Sequence, residues 1–203
     1  MTRTRAMKHS LAHAPQDAGD RGFTLLELLV VIGIICAMTA VSVPPFLGAV
    51  AHAKLRGGSS SLAGLLQGSR IEAIKRNQTI TVHFTTTANV PFAFAENATD
   101  ASPDLPTARA QVQLGGSTLQ MTIPDATPAL TAATLSFTAL TLPDLVSFNP
   151  RGMPCKYVTG VCTIGGFIYY LTDAAHPEVS TAVSVSPGGR VKQWYWNGTA
   201  WVN

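Results

Sequence analysis

The side chains that most often perform chemistry are few and widely separated in this sequence. Of the five histidines, His9 and His13 lie near the start of the chain, and His52, His83 and His176 lie far apart. The motifs H-E-x-x-H, G-x-S-x-G and G-x-x-x-x-G-K-[ST], which hold catalytic or binding groups at fixed spacing, do not occur in the sequence. The sequence therefore predicts no enzyme activity, no cofactor and no metal site.

One stretch near the C-terminus combines cations with aromatic rings. In GGRVKQWYW, residues 188–196, a β-strand would place four side chains on one face, namely Arg190, Lys192, Trp194 and Trp196. Cations contact phosphates and aromatic rings stack on bases, so one interpretation is a DNA-binding face. The alternative interpretation is a terminal strand whose tryptophans cover the core.

A carboxylate lies where a charge is costly. Glu27 is the one charged side chain between Phe23 and Val43, in an apolar stretch long enough for a helix to cross a bilayer. A charge near the bilayer centre costs about 2.5–3.5 kcal/mol on insertion scales. Basic residues precede the stretch, so the positive-inside rule predicts that residues 1–22 stay in the cytoplasm and that the chain after the stretch is exported. An ordinary signal anchor or secretory signal is the alternative, but it leaves Glu27 unexplained.

The residues around Glu27 match a processing signal. Arg21-Gly22 followed by FTLLELL, residues 23–29, resembles the class III signal of type IV pilin-like proteins. The resemblance implies that prepilin peptidase removes a leader, residues 1–22 (shorter if Met7 is the start), between Gly22 and Phe23, and that Phe23 is then N-methylated. It also implies that Glu27 acts in filament assembly by pairing with the N-terminal amine of a neighbouring subunit, since a paired buried charge is tolerated. A second interpretation is that Glu27 reaches the membrane interface from the start of the helix.

The rest of the chain predicts more helix and then strands. Residues 23–43 are predicted to form the transmembrane or filament-core helix. Residues 44–77 have apolar side chains three to four residues apart, which predicts an amphipathic continuation of that helix. Gly57-Gly58 predicts a bend or a break within the continuation. Residues 78–203 predict a β domain in the periplasm. Its predicted strands are 79–84, 132–140, 144–149, 163–171, 180–186 and 189–196, with a hairpin around Gly115-Gly116 within 110–123 and a long loop at 85–110.

Three further stretches narrow the resemblance. They are SRIEAIKRN (69–77), VSFNPRGMP (146–154) and VSVSPGGRVKQW (183–194), and with the pilin-like start they resemble the GspH/FimT family of minor pseudopilins and minor pilins. The resemblance implies an α+β fold, with a long N-terminal transmembrane helix followed by an antiparallel β-sheet or small β-sandwich. It implies a minor subunit of a type II secretion pseudopilus or a type IV pilus, placed near the tip. Its expected partners are prepilin peptidase, other (pseudo)pilins through the N-terminal helix, and the bacterial inner membrane, which it crosses once before assembly.

The same family includes FimT-like pilins that bind DNA in natural transformation through a Gly-Arg-x-Arg motif. This sequence has Gly189-Arg190-Val191-Lys192, and the lysine keeps the charge but lacks the two-pronged hydrogen bonding of arginine. The formal charge is +3, and the chain beyond residue 22 is close to neutral, so bulk charge does not indicate a polyanionic partner. DNA binding is therefore the alternative to the structural role.

Two of the three cysteines are close together in the predicted export domain. Cys155 and Cys162 bracket KYVTGV and predict a disulfide, worth about 2.5 kcal/mol in the chain-entropy account of such bonds. They fall short of the four ligands of a structural zinc site, because no histidine or further cysteine lies nearby. Cys36 lies in the apolar stretch and is interpreted as a small packing residue.

Overall fold

A computed structural model describes residues 23–100, 102–125 and 127–203, with the side chains of residues 41–47 excepted. The leader, residues 1–22, and with it Gly22, lies outside the described residues. The chain divides into two compact units, Met1–Val43 and Pro44–Asn203. Helix α1, Leu25–Arg76, is the first element among the described residues. Within the described residues, no helix meets the length and apolar character that crossing a membrane requires.

The second unit contains two antiparallel sheets that share one core with the helical residues of that unit. One sheet has the order β3-β2-β1-β6-β7-β8, and the other has the order β12-β11-β10-β9-β4, with β5 added in parallel to β9. The strands are β1 Ile80–Thr87, β2 Val90–Asn97, β3 Ala110–Gln113, β4 Leu119–Gln120, β5 Ala139–Leu140, β6 Ser147–Phe148, β7 Pro154–Val158, β8 Val161–Ile164, β9 Gly166–Asp173, β10 His176–Val185, β11 Val191–Trp196 and β12 Trp201–Val202. The predicted α+β class is confirmed, and the strands form two sheets.

The main core lies where α1 meets both sheets. Leu55, Leu62 and Leu66 are fully buried, at the spacing that puts them on one side of a helix. They pack in one cluster with side chains of the first sheet, such as Phe148, and of the second sheet, such as Tyr169. The burial of one apolar stripe explains why the sequence of this part of α1 alternates apolar and polar residues with helical spacing.

The glycine pair in α1 does not interrupt it. The helix runs through Gly57 and Gly58, so the predicted break is wrong. Gly58 has a packing reason: a Cβ at this position would overlap the carbonyl oxygen of Leu114 and lie 3.2 Å from Cδ2 of Leu171. The helix therefore has glycine where a neighbouring backbone approaches it closely.

The predicted loop at 85–110 instead contains strand β2. Strands β1 and β2 form a hairpin in which Thr87 pairs with Val90. The two residues between them, Ala88 and Asn89, have positive φ values of 51° and 63°, the backbone form of a two-residue hairpin turn. Asn favours this conformation but Ala does not, so the turn lacks the Asn-Gly signal that would have predicted it.

Two other predicted elements are also corrected. The strands on either side of Gly115-Gly116 do not form a hairpin, because β3 pairs with β2 in the first sheet and β4 pairs with β9 in the second. Leu114, between them, is buried in the core shared by both sheets, so the chain crosses from one sheet to the other at this point. The predicted strand at 132–140 begins instead with the short helix α2, Ala132–Leu135, which Thr131 caps, and only then reaches β5.

Candidate functional site

The start of α1 has a side-chain cap within the processing motif. The backbone N–H of Glu27 donates to Oγ1 of Thr24 at 3.2 Å, and the N–H of Leu28 donates to the carbonyl oxygen of Thr24. This Thr-x-x-Glu spacing is that of a capping box, in which the first residue satisfies an otherwise unpaired N–H of the first turn. Glu27 lies in that first turn, where a negative charge interacts favourably with the helix dipole. The position of Glu27 is therefore explained in part by interactions within the first turn of its own helix.

The first unit exposes apolar side chains on every side of its helix. The exposed residues are Phe23, Leu25, Leu26, Leu28, Leu29, Val30, Val31, Ile32, Ile34, Ile35 and Met38. A helix that is apolar all round is normally buried against lipid or protein. Cys36 is also exposed in this unit, so its predicted packing role requires a surface from another molecule.

Arg70 joins two turns that are far apart in the sequence. Its Nη1 donates to the carbonyl oxygen of Gly189 at 2.9 Å. Gly189 and Gly152 have φ values of 81° and 72°, and a Cβ on either would press on the side chain of Arg70 at 2.9–3.2 Å. Glycine therefore suits both turns for two reasons: it adopts the positive φ, and it leaves room for the side chain of Arg70. The motifs SRIEAIKRN, FNPRG and GGRVK, which are far apart in the sequence, thus meet at one guanidinium.

The turn before β11 is held in place by hydrogen bonds. The N–H of Gly189 donates to the carbonyl oxygen of Ser186 at 2.7 Å, and the N–H of Arg190 donates to Oγ of Ser186 at 3.1 Å. The N–H of Ser186 in turn donates to the carbonyl oxygen of Arg190 at 2.9 Å. Arg190 precedes the strand and its side chain is exposed. Sequence reasoning missed Arg70 as the support of this turn, and the signal available was the two glycine turns in the family motifs.

The aromatic residues of β11 are mostly covered. Trp194 is only 5% exposed, and its Nε1 donates to Oγ of Ser184 at 2.8 Å. Trp196 packs against Trp201, with ring centroids 5.7 Å apart. Lys192 lies over Trp194, with Nζ 5.2 Å from the ring centroid. Stacking of a base on Trp194 does not fit this burial, whereas Arg190 and Lys192 remain able to meet an anion.

Cys155 and Cys162 form the disulfide that their spacing predicted. They join β7 to β8, with their Cα atoms 5.4 Å apart. Cys155 is fully buried in the sheet, and β8 forms the outer edge of that sheet. The bond therefore ties the edge strand β8 to its neighbour β7.

Burial shifts the pKa of three groups in the β domain, His83, Tyr169 and Tyr170; it raises that of Tyr170, whose hydroxyl accepts from the N–H of Leu130. The ring of His83 stacks on Phe94 at 5.3 Å between centroids, and its burial lowers its pKa more than the carboxylates of Glu96 and Asp100 raise it. Burial raises the pKa of Tyr169, whose hydroxyl donates to a backbone carbonyl at 3.1 Å. All three shifts follow from packing, and none of the groups belongs to a cluster of catalytic side chains in the part of the chain that the structure describes.

Comparisons with known proteins match two parts of the chain, the N-terminal apolar stretch and most of the second unit. The profile of the family described as Type II transport protein GspH matches residues 59–189, and that of the prokaryotic N-terminal methylation motif matches residues 18–43. A search of curated proteins finds no significant match.

Solved structures that are similar include two minor subunits. The type IV minor pilin FimU of Pseudomonas aeruginosa (strain PAO1) has 12% identity and a TM-score of 0.47, covering 74% of this chain and 94% of its own. The minor pseudopilin EpsH from the Type 2 Secretion System of Vibrio cholerae has 14% identity and a TM-score of 0.41, covering 69% and 95%.

Proposed function

The chain belongs to the GspH family of type II transport proteins and acts as a minor pseudopilin or pilin. We propose that it is cut between Gly22 and Phe23 and then N-methylated at Phe23. We further propose that the mature chain is assembled near the tip of a filament. The single observation that carries this proposal is the match of residues 18–43 to the methylation motif. The capped start of α1 and its exposed apolar surface support it.

Membership of the family indicates a membrane-anchored assembly on the periplasmic side. We propose a single pass through the inner membrane before assembly, with residues 1–22 in the cytoplasm, 23–43 in the bilayer, 44–77 as the amphipathic continuation and 78–203 in the periplasm. The basic residues before the apolar stretch support this orientation. The same apolar surface would pass from lipid to the filament core without exposure to water.

Glu27 has a separate role in this proposal. Removal of the leader would create an amine at Phe23, and a neighbouring subunit's Glu27 would neutralise it in the filament. Leaving one partner of a buried ion pair alone costs about 3–5 kcal/mol, so assembly would select correctly placed subunits. The capping hydrogen bond uses the backbone of Glu27 and leaves its carboxylate able to form this pair.

The test has two parts. Mass spectrometry of the mature protein should find an N-methylated Phe23 as the first residue in cells with prepilin peptidase and the intact leader in cells without it. Any other mature N-terminus would contradict the proposed processing.

The second part tests Glu27 with a matched control. Glu27→Ala and Glu27→Gln should both lower co-purification with partner (pseudo)pilins while membrane extraction is unchanged. Glu72→Ala removes a carboxylate from the same helix, where Glu72 pairs with Arg76 on the surface, and should have no effect. Wild-type levels of co-purification for both Glu27 variants would refute the pairing.

A further inference from the structure

Strand β11 has a free edge next to the helix. Strand β12 pairs only with Tyr195 and Trp196, so residues 191–194 pair with β10 on one side and, among the described residues, with no strand on the other. Beside this edge lies a groove of about 390 Å³, which we call the edge groove. Its lining includes Ala63, Gln67, Arg190, Lys192, Gln193 and Tyr195. An exposed strand edge offers unpaired N–H and C=O groups to another extended chain.

The charged side chains that line the edge groove, alongside Asn203 and the neutral residues, are both cations. Arg190 and Lys192 line it, and no aspartate or glutamate side chain does. Neither cation takes part in an ion pair among the described residues. The turn that carries Arg190 is fixed by Ser186 and, through Gly189, by Arg70, so the backbone is already held where the exposed side chain of Arg190 meets an anion.

The polar lining suits a peptide better than a nucleic acid. Gln67 and Gln193 offer amide groups, and the hydroxyl of Tyr195 donates to Oε1 of Gln193 at 2.7 Å. Single-stranded nucleic acids are usually held by cations together with aromatic faces on which bases stack. Trp194 is buried and Trp196 packs on another indole. The ring of Tyr195 carries the guanidinium of Arg56 over one face, 5.3 Å from its centroid, so β11 does not offer such faces freely.

From these observations we propose that the edge groove binds an extended acidic segment of a partner (pseudo)pilin, which adds as a strand to β11 while its carboxylates meet Arg190 and Lys192. The proposal rests on the proposed role as a filament subunit. It identifies a second contact, in the β domain, besides the helix-to-helix contact made by the first unit. Backbone pairing would supply affinity, and the two cations would select the acidic partner.

The test measures binding of short labelled peptides to the full-length protein in detergent micelles by fluorescence anisotropy. The first probe alternates Glu and Thr, the second has Gln in place of each Glu, and the third is the acidic peptide with alternate backbone nitrogens methylated. A single-stranded DNA oligonucleotide is the fourth. We expect the acidic peptide to bind at least about tenfold more tightly than the other two peptides, and more weakly as salt is added.

The variants separate the groove from general charge. Arg190→Ala/Lys192→Ala should weaken binding of the acidic peptide at least about tenfold. Lys75→Ala/Arg109→Ala removes the same charge from residues outside the groove lining and should leave binding unchanged. Circular dichroism should show that both double variants are folded.

Three results would overturn the proposal. They are equal binding of the Glu and Gln peptides, equal binding of the methylated peptide, and tighter binding of DNA than of the acidic peptide at the same residues. Self-association of the wild type that the double variant abolishes would assign the edge groove to a second copy instead. None of these measurements depends on leader cleavage or filament assembly, so the proposed function can fail or stand separately.

Discussion

Gly57 and Gly58 are adjacent in α1 but meet different surroundings, which makes them a sharp test of the packing. Nothing lies within 4 Å of a Cβ added at Gly57, and the residue is exposed. Alanine there should only improve helix propensity, raising the free energy of unfolding by about 0.8–1 kcal/mol. At Gly58 the same methyl group would overlap the backbone oxygen of Leu114.

The net effect at Gly58 is the difference between two terms. Overpacking of a core typically costs about 1–3 kcal/mol, and a backbone oxygen yields less readily than a flexible side chain, so the upper end applies. Subtracting the gain in propensity leaves a loss of about 2 kcal/mol for Gly58→Ala. For a chain of this size that lowers the melting temperature by about 4–8 °C, while Gly57→Ala should raise it by about 2–4 °C.

The assay is thermal unfolding of the full-length protein in detergent, followed by near-ultraviolet circular dichroism because the tryptophans lie in the β domain. Urea unfolding at fixed temperature supplies the free energies, and equal m-values would show that the extent of unfolding is unchanged. If Gly58→Ala stabilises the protein as much as Gly57→Ala does, the close approach of α1 to Leu114 is wrong.

Three further predictions address other contacts. Cys155→Ser/Cys162→Ser should lower the free energy of unfolding by about 2.5 kcal/mol in urea titrations, and reductant should bring the wild type to the same value but leave the variant unaffected. Arg70→Met keeps most of the apolar stem but loses the hydrogen bond to Gly189, so it should lower the free energy of unfolding by about 1.5–3 kcal/mol. When Arg70→Met is combined with Gly189→Ala, the loss should be smaller than the sum of the losses of the two single variants. Strict additivity would argue against contact between the two residues. Because burial lowers the pKa of His83, the unfolded chain takes up the proton first as pH falls, so stability should be constant above about pH 6.5 and decrease below it. His83→Asn should flatten this decrease, and an identical pH profile for the variant would show that another group is responsible.

Helix α1 and most of the longer strands were predictable because their signals are local. The burial stripe of α1 follows helical spacing, and β9, β10 and β11 overlap predicted strands. Strand β2 was missed because its turn is Ala88-Asn89 and lacks the usual Asn-Gly signal. The hairpin predicted at Gly115-Gly116 was wrong because a turn signal does not say which sheet receives the strand that follows it.

Of the candidate sites, too, only those with local signals could be predicted from the sequence. The processing motif could be identified from the sequence since its residues are consecutive and its cap forms between Thr24 and Glu27 in one helical turn. The face predicted for Arg190 to Trp196 could not, because alternation along a strand does not reveal which side is covered. In the fold, Trp194 lies in a second apolar cluster with Ile168 and Tyr170.

The sequence by itself determined the family, the apolar start with its single carboxylate, the change from helix to strands, and the cysteine pair, because each depends on neighbours a few residues apart. Only the tertiary structure decided the meeting of Arg70 with Gly152 and Gly189, the need for glycine at position 58, and the free edge of β11. These features depend on contacts between segments that are distant in the chain. Their geometry is set by how α1 packs in one core with the two sheets, and no local spacing encodes it.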